Sequence, residues 1–104
     1  MISKDNLEKV LTFRSERNWE KFNTPKNIAV SVAIEAAELL EHFQWTENSS
    51  PNDKEKQAIA YEIADVAIYL SYLCNDLDID LNQRVAEKIE INNKKYPVEQ
   101  CKDS

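Results

Sequence analysis

From Ile28 to Leu40 the chain reads IAVSVAIEAAELL, apolar at most positions yet carrying Glu35 and Glu38. From Ala58 to Leu73 it reads AIAYEIADVAIYLSYL, again apolar and again carrying an acidic pair, Glu62 and Asp65. In both stretches the apolar spacing is helical, and Leu7, Val10, Leu11 and Phe13 give a shorter apolar side near the start of the chain. Asp5 with Glu8 has the form of a capping box and predicts a first helix reaching about Phe22. Thr24 ahead of Pro25 predicts the start of a second helix, running to about Trp45. ENSSPND (47–53) is a loop by composition, with Pro51 opening a third helix that ends near Leu77. Asp80 with Gln83 predicts a capped fourth helix that stops before Tyr96-Pro97. No segment alternates as a strand would between turn signals. The pattern therefore predicts an all-α, four-helix bundle-like domain over residues 1–98, with a polar tail at 99–104. Middle helices that are apolar nearly all round need more cover than one such chain supplies, which predicts a homo-oligomer, a dimer or a tetramer.

The acidic pairs change this picture from fold to chemistry. Residues three apart on a helix share a face, so Glu35/Glu38 and Glu62/Asp65 each present two carboxylates on one side. One E-x-x-E motif is what many solvated helix faces show. Two such pairs, each isolated inside an apolar helix, place four carboxylates at a shared interface where they repel and are costly to bury. A divalent cation removes that cost. An all-oxygen set favours Mg²⁺, with Mn²⁺ as the alternative, over zinc. His42 is the only histidine, so the paired Glu-x-x-His motifs of a ferritin-like di-iron site are missing. Glu41 lies off the Glu35/Glu38 face, and Glu16, Glu20, Glu55 and Glu87 sit in polar surroundings that read as solvated.

Composition then narrows the partners. A chain of 104 residues with 42% apolar and 31% charged residues fits one soluble globular domain. The net charge of −6 argues against a nucleic-acid polymer as partner. The chain has no glycine, which excludes the P-loop and the dinucleotide-binding turn. If phosphates are held here, metal ions and cationic side chains must hold them. The apolar stretches are too short and too interrupted for a membrane span, and MISKDNLEKV lacks the pattern of a signal peptide. Cys74 and Cys101 read as free thiols without zinc-site spacing, and the expectation is a cytoplasmic protein.

Four motifs in order carry a resemblance: W-E-x-F-x-x-P-x-N from Trp19, E-x-x-E-L-x-E-x-F-Q-W from Glu35, E-x-x-D-V-x-I-Y-L from Glu62, and K-x-x-x-N-x-x-K-Y-P from Lys88. Over roughly residues 13 to 98 the chain resembles the all-α nucleoside triphosphate pyrophosphohydrolases of the MazG type, and within them the small dCTP pyrophosphatase-like branch. The resemblance implies Mg²⁺-dependent hydrolysis of the α–β phosphoanhydride of a nucleotide, in service of nucleotide-pool house-cleaning, with Glu35, Glu38, Glu62 and Asp65 as metal ligands. Glu38, with Glu35 beside it, is the candidate for activating the attacking water as well. Lys88, Asn92, Lys95 and Tyr96 match the motif that reaches phosphates and sugar in the family. Lys94 and Lys95 also fit a basic helix end that complements the dipole. Tyr69 matches a tyrosine of the family pattern on the acidic side. Trp19 and Trp45 read as core from sequence alone and, through the resemblance, as a slot for the base. Arg14 and Asn23 are further candidates for base or phosphate contacts. In the dCTP branch a histidine of the first helix lies near the base, and the matching position here is Val10. A phosphoribosyl-ATP pyrophosphatase-like activity and a non-catalytic helical oligomer with structural metal are the rival readings.

Overall fold

The computed structural model describes residues 1–44 and 51–101. The first helix, α1, spans Lys4–Glu16. Its cap is Ser3, whose hydroxyl accepts from the Asn6 N–H at 3.1 Å, and not Asp5, which lies in the first turn where the helix dipole favours an anion. α1 also stops earlier than the expected Phe22. Asn18 adopts a left-handed conformation (φ 54°) just past the Arg17 cap, and a separate 3₁₀ turn follows at Trp19–Lys21. Asparagine tolerates this region better than most side chains, so it serves in a chain without glycine.

The second helix, α2, spans Pro25–Glu41. The expected Thr24 cap is present, its hydroxyl accepting from the Asn27 N–H at 3.2 Å. The Asn27 side chain donates to the Phe22 carbonyl at 2.8 Å, so Phe22, Pro25 and Asn27 together fix the corner into α2. The helix ends at Glu41, with His42 as its cap, short of Trp45. Trp45 lies outside the described residues. The third helix, α3, spans Asp53–Asp76. Asn52 caps it by accepting from the Glu55 N–H at 2.8 Å, which leaves Pro51 outside the helix it was expected to open. Its far end is a Schellman closure: Asp78 is left-handed (φ 55°), and the Ile79 and Asp78 N–H groups donate to the Cys74 and Asn75 carbonyls. The fourth helix, α4, spans Leu81–Lys95 and carries the expected Asp80 cap on the Gln83 N–H. One further turn, α5 at Val98–Cys101, occupies the start of the expected polar tail. Among the described residues there is no strand, and no helix is long and apolar enough to cross a membrane.

α2 and α3 pack along each other as an antiparallel hairpin: Glu35 meets Asp65 and Glu62, and His42, farther along α2, meets Glu62. α1 lies against α3 and carries the 3₁₀ turn on its own side, whereas α4 makes no extensive contact with the other described helices. Two interactions bind α1 to α3. The Arg14 guanidinium forks onto both carboxylate oxygens of Asp76 at 2.8 Å, and the Tyr72 hydroxyl donates to the Val10 carbonyl at 2.9 Å. Arg14 also stacks over the Tyr72 ring, 4.5 Å from its centroid.

The chain is extended, 53 × 35 × 25 Å with a radius of gyration of 17.1 Å, against roughly 13 Å for a compact domain of this length. Among the described residues, Ile28, Ile59 and Tyr72 are the buried apolar side chains. Val30, Ile34 and Leu40 on α2, Tyr61 and Ile63 on α3, and Val85, Ile89 and Ile91 on α4 stay exposed. The surplus apolar surface anticipated for the middle helices is thus present, and α4 adds more.

Candidate active site

The hairpin brings the two acidic pairs together. Oxygens of Glu35, Glu62 and Asp65 lie within 4.8 Å of one another. Their positions follow from helix geometry: Glu35 faces α3 from the middle of α2, and Glu62 and Asp65 are one turn apart on α3. Glu38 adjoins this group, close enough to share a hydrogen bond with Glu35. One oxygen of Glu35 and one of Glu62, both Oε2, are buried without a hydrogen-bond partner. An orphaned buried carboxylate oxygen is costly, and two of them beside each other need a proton or a cation. The proton answer is visible in Glu35. Burial, then side-chain hydrogen bonds with Glu62 and Glu38, then the charges of Glu38 and Asp65 push its pKa up to about 7. The cation answer fits the same residues: three carboxylates, close-set and hard in character.

Beside the cluster opens a cavity of about 520 Å³. Glu35 and Asp65 line it on the hairpin side, together with Ile68, Tyr69 and Tyr72 of α3. Val10 and Phe13 of α1 and Trp19 of the 3₁₀ turn line it from across the groove. Phe13 and Trp19 meet edge to face at 5.4 Å between centroids, and Tyr69 and Tyr72 do so at 6.1 Å. Flat aromatic walls beside an acidic cluster suit a molecule with a planar ring at one end and an anionic, cation-bridged group at the other.

Several expected residues thus meet here: Glu35, Glu62 and Asp65 in the cluster, Glu38 beside Glu35, and Trp19 and Tyr69 in the cavity wall. Others do not. Arg14, expected to contact base or phosphate, is 5% exposed, and both of its terminal nitrogens are spent on Asp76. That bond raises the Arg14 pKa and holds Asp76 below the usual carboxylate range, as a structural ion pair does. Asn23 sits half-buried in the turn before α2, outside the cavity lining. Lys88, Asn92, Lys95 and Tyr96 are exposed on and after α4, and none lines the cavity. Lys95 instead lies 5.3 Å from the Tyr96 ring.

Some site residues are not singled out by motif. Tyr72 follows Asp65 and Tyr69 at i+7 and i+3, a stripe that helical spacing could reveal. His42 likewise follows Glu35 and Glu38 at i+7 and i+4, and its Nε2 lies 4.0 Å from Glu62 Oε1. Lys9 also lines the cavity, with nothing in its local sequence to mark it.

Known proteins resemble this chain. The model of the MazG-like family matches residues 30–104. The mouse protein dCTP pyrophosphatase 1 is 38% identical over 91 residues, which is 83% of this chain and 54% of that protein. The human protein of the same name is 35% identical over 97 residues, 88% of this chain and 57% of its own length. The chain therefore spans about half the length of these curated relatives. Among solved structures, a pyrophosphatase from Archaeoglobus fulgidus superposes with a TM-score of 0.80 at 46% identity, covering 90% of this chain and 91% of that one. An all-α hairpin with paired carboxylates, and sequence similarity over most of its length, agree: the chain belongs to the MazG-like family.

Proposed function

We propose that this protein is a divalent-cation-dependent nucleoside triphosphate pyrophosphohydrolase that releases pyrophosphate and a monophosphate from a deoxynucleoside triphosphate, dCTP or a related pyrimidine nucleotide. The observation that carries this reading is the orphaned carboxylate cluster opening onto an aromatic cavity. The names of the mammalian relatives support the activity and the nucleotide class, and that of the archaeal neighbour, a pyrophosphatase, agrees with the activity. Glu35, Glu62 and Asp65, with Glu38 beside them, would hold Mg²⁺, or Mn²⁺ in its place. The ion supplies charge neutralisation of the phosphates and acidifies water. The remaining steps belong to side chains. Glu38 accepts a proton from the attacking water as its oxygen adds at phosphorus and the bond to the pyrophosphate oxygen breaks. Trp19, Tyr69 and Phe13 hold the base and sugar by stacking and exclusion of water. Val10 in the same wall offers the base no hydrogen bond, so base choice rests on shape and neighbouring groups. A panel of dCTP, dUTP, dTTP, dATP and phosphoribosyl-ATP with Mg²⁺, read by liberated pyrophosphate, tests the proposal. The expected result is Mg²⁺-dependent release, greatest for a pyrimidine deoxynucleotide. Release from none of them would return the chain to a non-catalytic role.

The proposal includes a homo-oligomer. The exposed apolar side chains of α2, α3 and α4, and a fourth helix that lies on little of its own protomer, support it. A second copy would cover these faces and bring Lys88, Asn92 and Lys95 of α4, with Tyr96 just beyond it, toward a cluster. Sedimentation equilibrium should give a dimer or tetramer at micromolar concentration; a monomer would contradict it. In this reading residues 1–98 act as one catalytic domain with 99–104 as its tail. The half-buried free thiol of Cys74 suits a reducing, cytoplasmic setting.

A further inference from the structure

We propose that Arg17 is a positioning residue for the aromatic wall of the cavity: it locks the Phe13 ring in place, and Phe13 in turn sets Trp19 for stacking against the nucleotide base. The inference rests on the reading of the cavity as a nucleotide site. Its ground is a ladder of three side chains. The Arg17 guanidinium lies over the Phe13 ring, 3.6 Å from its centroid, and its Nη1 donates to the Phe13 carbonyl at 3.0 Å. The Phe13 ring meets Trp19 edge to face, with 5.4 Å between centroids and 76° between planes. Arg17 thus grips both the ring and the backbone of one residue. Among the described residues it forms no ion pair with a carboxylate that would draw it elsewhere.

The end of α1 creates this contact. Arg17 caps the helix four residues after Phe13, a spacing that brings the two side chains together. The Arg17 N–H, the ordinary helical partner of the Phe13 carbonyl, donates instead to the Arg14 carbonyl at 3.2 Å as the last turn tightens. The Arg17 side chain supplies the donor that the Phe13 carbonyl then needs. Asn18, left-handed at φ 54°, follows at once and turns the chain, and Trp19 comes back against Phe13. Burial alone would leave the two rings loose, because Phe13 is 43% and Trp19 41% exposed. A ring free to change rotamer loses that freedom when a base stacks on it, so one held beforehand binds at a smaller entropic cost. Phe13 and Trp19 line the cavity and Arg17 does not, which makes its action on the nucleotide indirect.

Nucleotide kinetics on the full chain with Mg²⁺, joined to NOEs between the two rings, test the role. Arg17→Met keeps an apolar stem over the ring and removes the guanidinium. Its KM for dCTP should rise about two- to fivefold, the ratio that a cation–π contact at an exposed site corresponds to, with kcat unchanged. NOEs between the Phe13 ring and the Trp19 indole, measured without metal or nucleotide, should weaken in the same variant. Arg17 is exposed, so the variant should fold and melt near wild type. Phe13→Leu should raise KM by more, because part of the wall itself is lost, and adding Arg17→Met to it should change nothing further. That non-additivity separates positioning from direct attraction, since a guanidinium that drew in the phosphates would act whether or not Phe13 were present. Equal KM in wild type and Arg17→Met, unchanged NOEs, or additive effects in the double variant would each overturn the positioning role while the nucleotide reading stands. Wild-type protein that releases pyrophosphate from no nucleotide would overturn that reading and this inference together.

Discussion

Glu35→Gln is expected to abolish pyrophosphate release while making the metal-free protein more stable. The two effects have one origin. Glu35 is pushed up to about 7 by burial first, then by hydrogen bonding and charge from Glu62, Glu38 and Asp65. Its folded pKa thus lies above its unfolded value, and between the two the folded state holds the extra proton. The stability this proton confers is present at low pH and is lost as the pH rises through about 7. Glutamine occupies the same volume without a charge, so the metal-free variant escapes the loss and its melting temperature should stay level where wild type declines. Activity moves the opposite way. An amide is a weak substitute for a carboxylate toward a hard cation, and loss of a charge-stabilising group of this kind costs about a thousandfold in rate. Ion binding gives a third readout. In wild type the ion must displace the shared proton, so below pH 7 its affinity should fall by about tenfold per pH unit. In Glu35→Gln that dependence disappears. A variant that keeps its turnover, or that melts earlier than wild type without metal, would refute the account.

This coupling was half legible in the chain. Periodicity and caps gave the four helices, and Thr24, Asp80 and Leu77 stand at the boundaries they imply. The boundaries that moved did so for local reasons: Ser3 caps the Asn6 N–H two residues ahead of Asp5, and Asn18 turns left-handed, which spacing alone does not announce. That the acidic pairs would face each other was legible because each is the lone ionisable pair in an apolar helix stretch. Which atoms would be orphaned was not, since that depends on how α2 and α3 meet. Contacts between distant residues were the least legible. Arg14 and Asp76 are 62 residues apart, as are Tyr72 and Val10, and nothing near Arg14 distinguishes an arginine facing a ligand from one facing a buried carboxylate. For Lys88, Asn92 and Lys95, with Tyr96 just after them, the helix could be read from spacing, but not that it would lie on so little of its own chain.

Asp76→Ala should be the most destabilising single change in the α1–α3 contact. Arg14 is nearly sealed from water, its Nε already lacks a partner, and Asp76 accepts from both remaining nitrogens. Removing the carboxylate leaves a guanidinium buried and unpaired, which costs about 3 kcal/mol, the lower end for such pairs because Asp76 is 23% exposed. For a domain of this size that is a fall of about 10–20 °C in melting temperature, compared at one protein concentration because association would shift it. Replacing both partners, Arg14→Met with Asp76→Leu, should recover most of the loss, since an apolar pair of similar volume leaves nothing unpaired. The lowered pKa of Asp76, caused first by its bond to Arg14, adds that the wild-type advantage is held above the usual aspartate range and lost in acid. The functional consequence is separable from that of Glu35. The carboxylates sit on α2 and α3, whereas Arg14 and Tyr72 hold the α1 wall of the cavity. At a temperature where Asp76→Ala is still folded, its Mn²⁺ affinity should match wild type while its KM for nucleotide rises. A loss of ion binding equal to that of Glu35→Gln would mean that the cluster depends on α1, and that the hairpin does not set the cation site by itself.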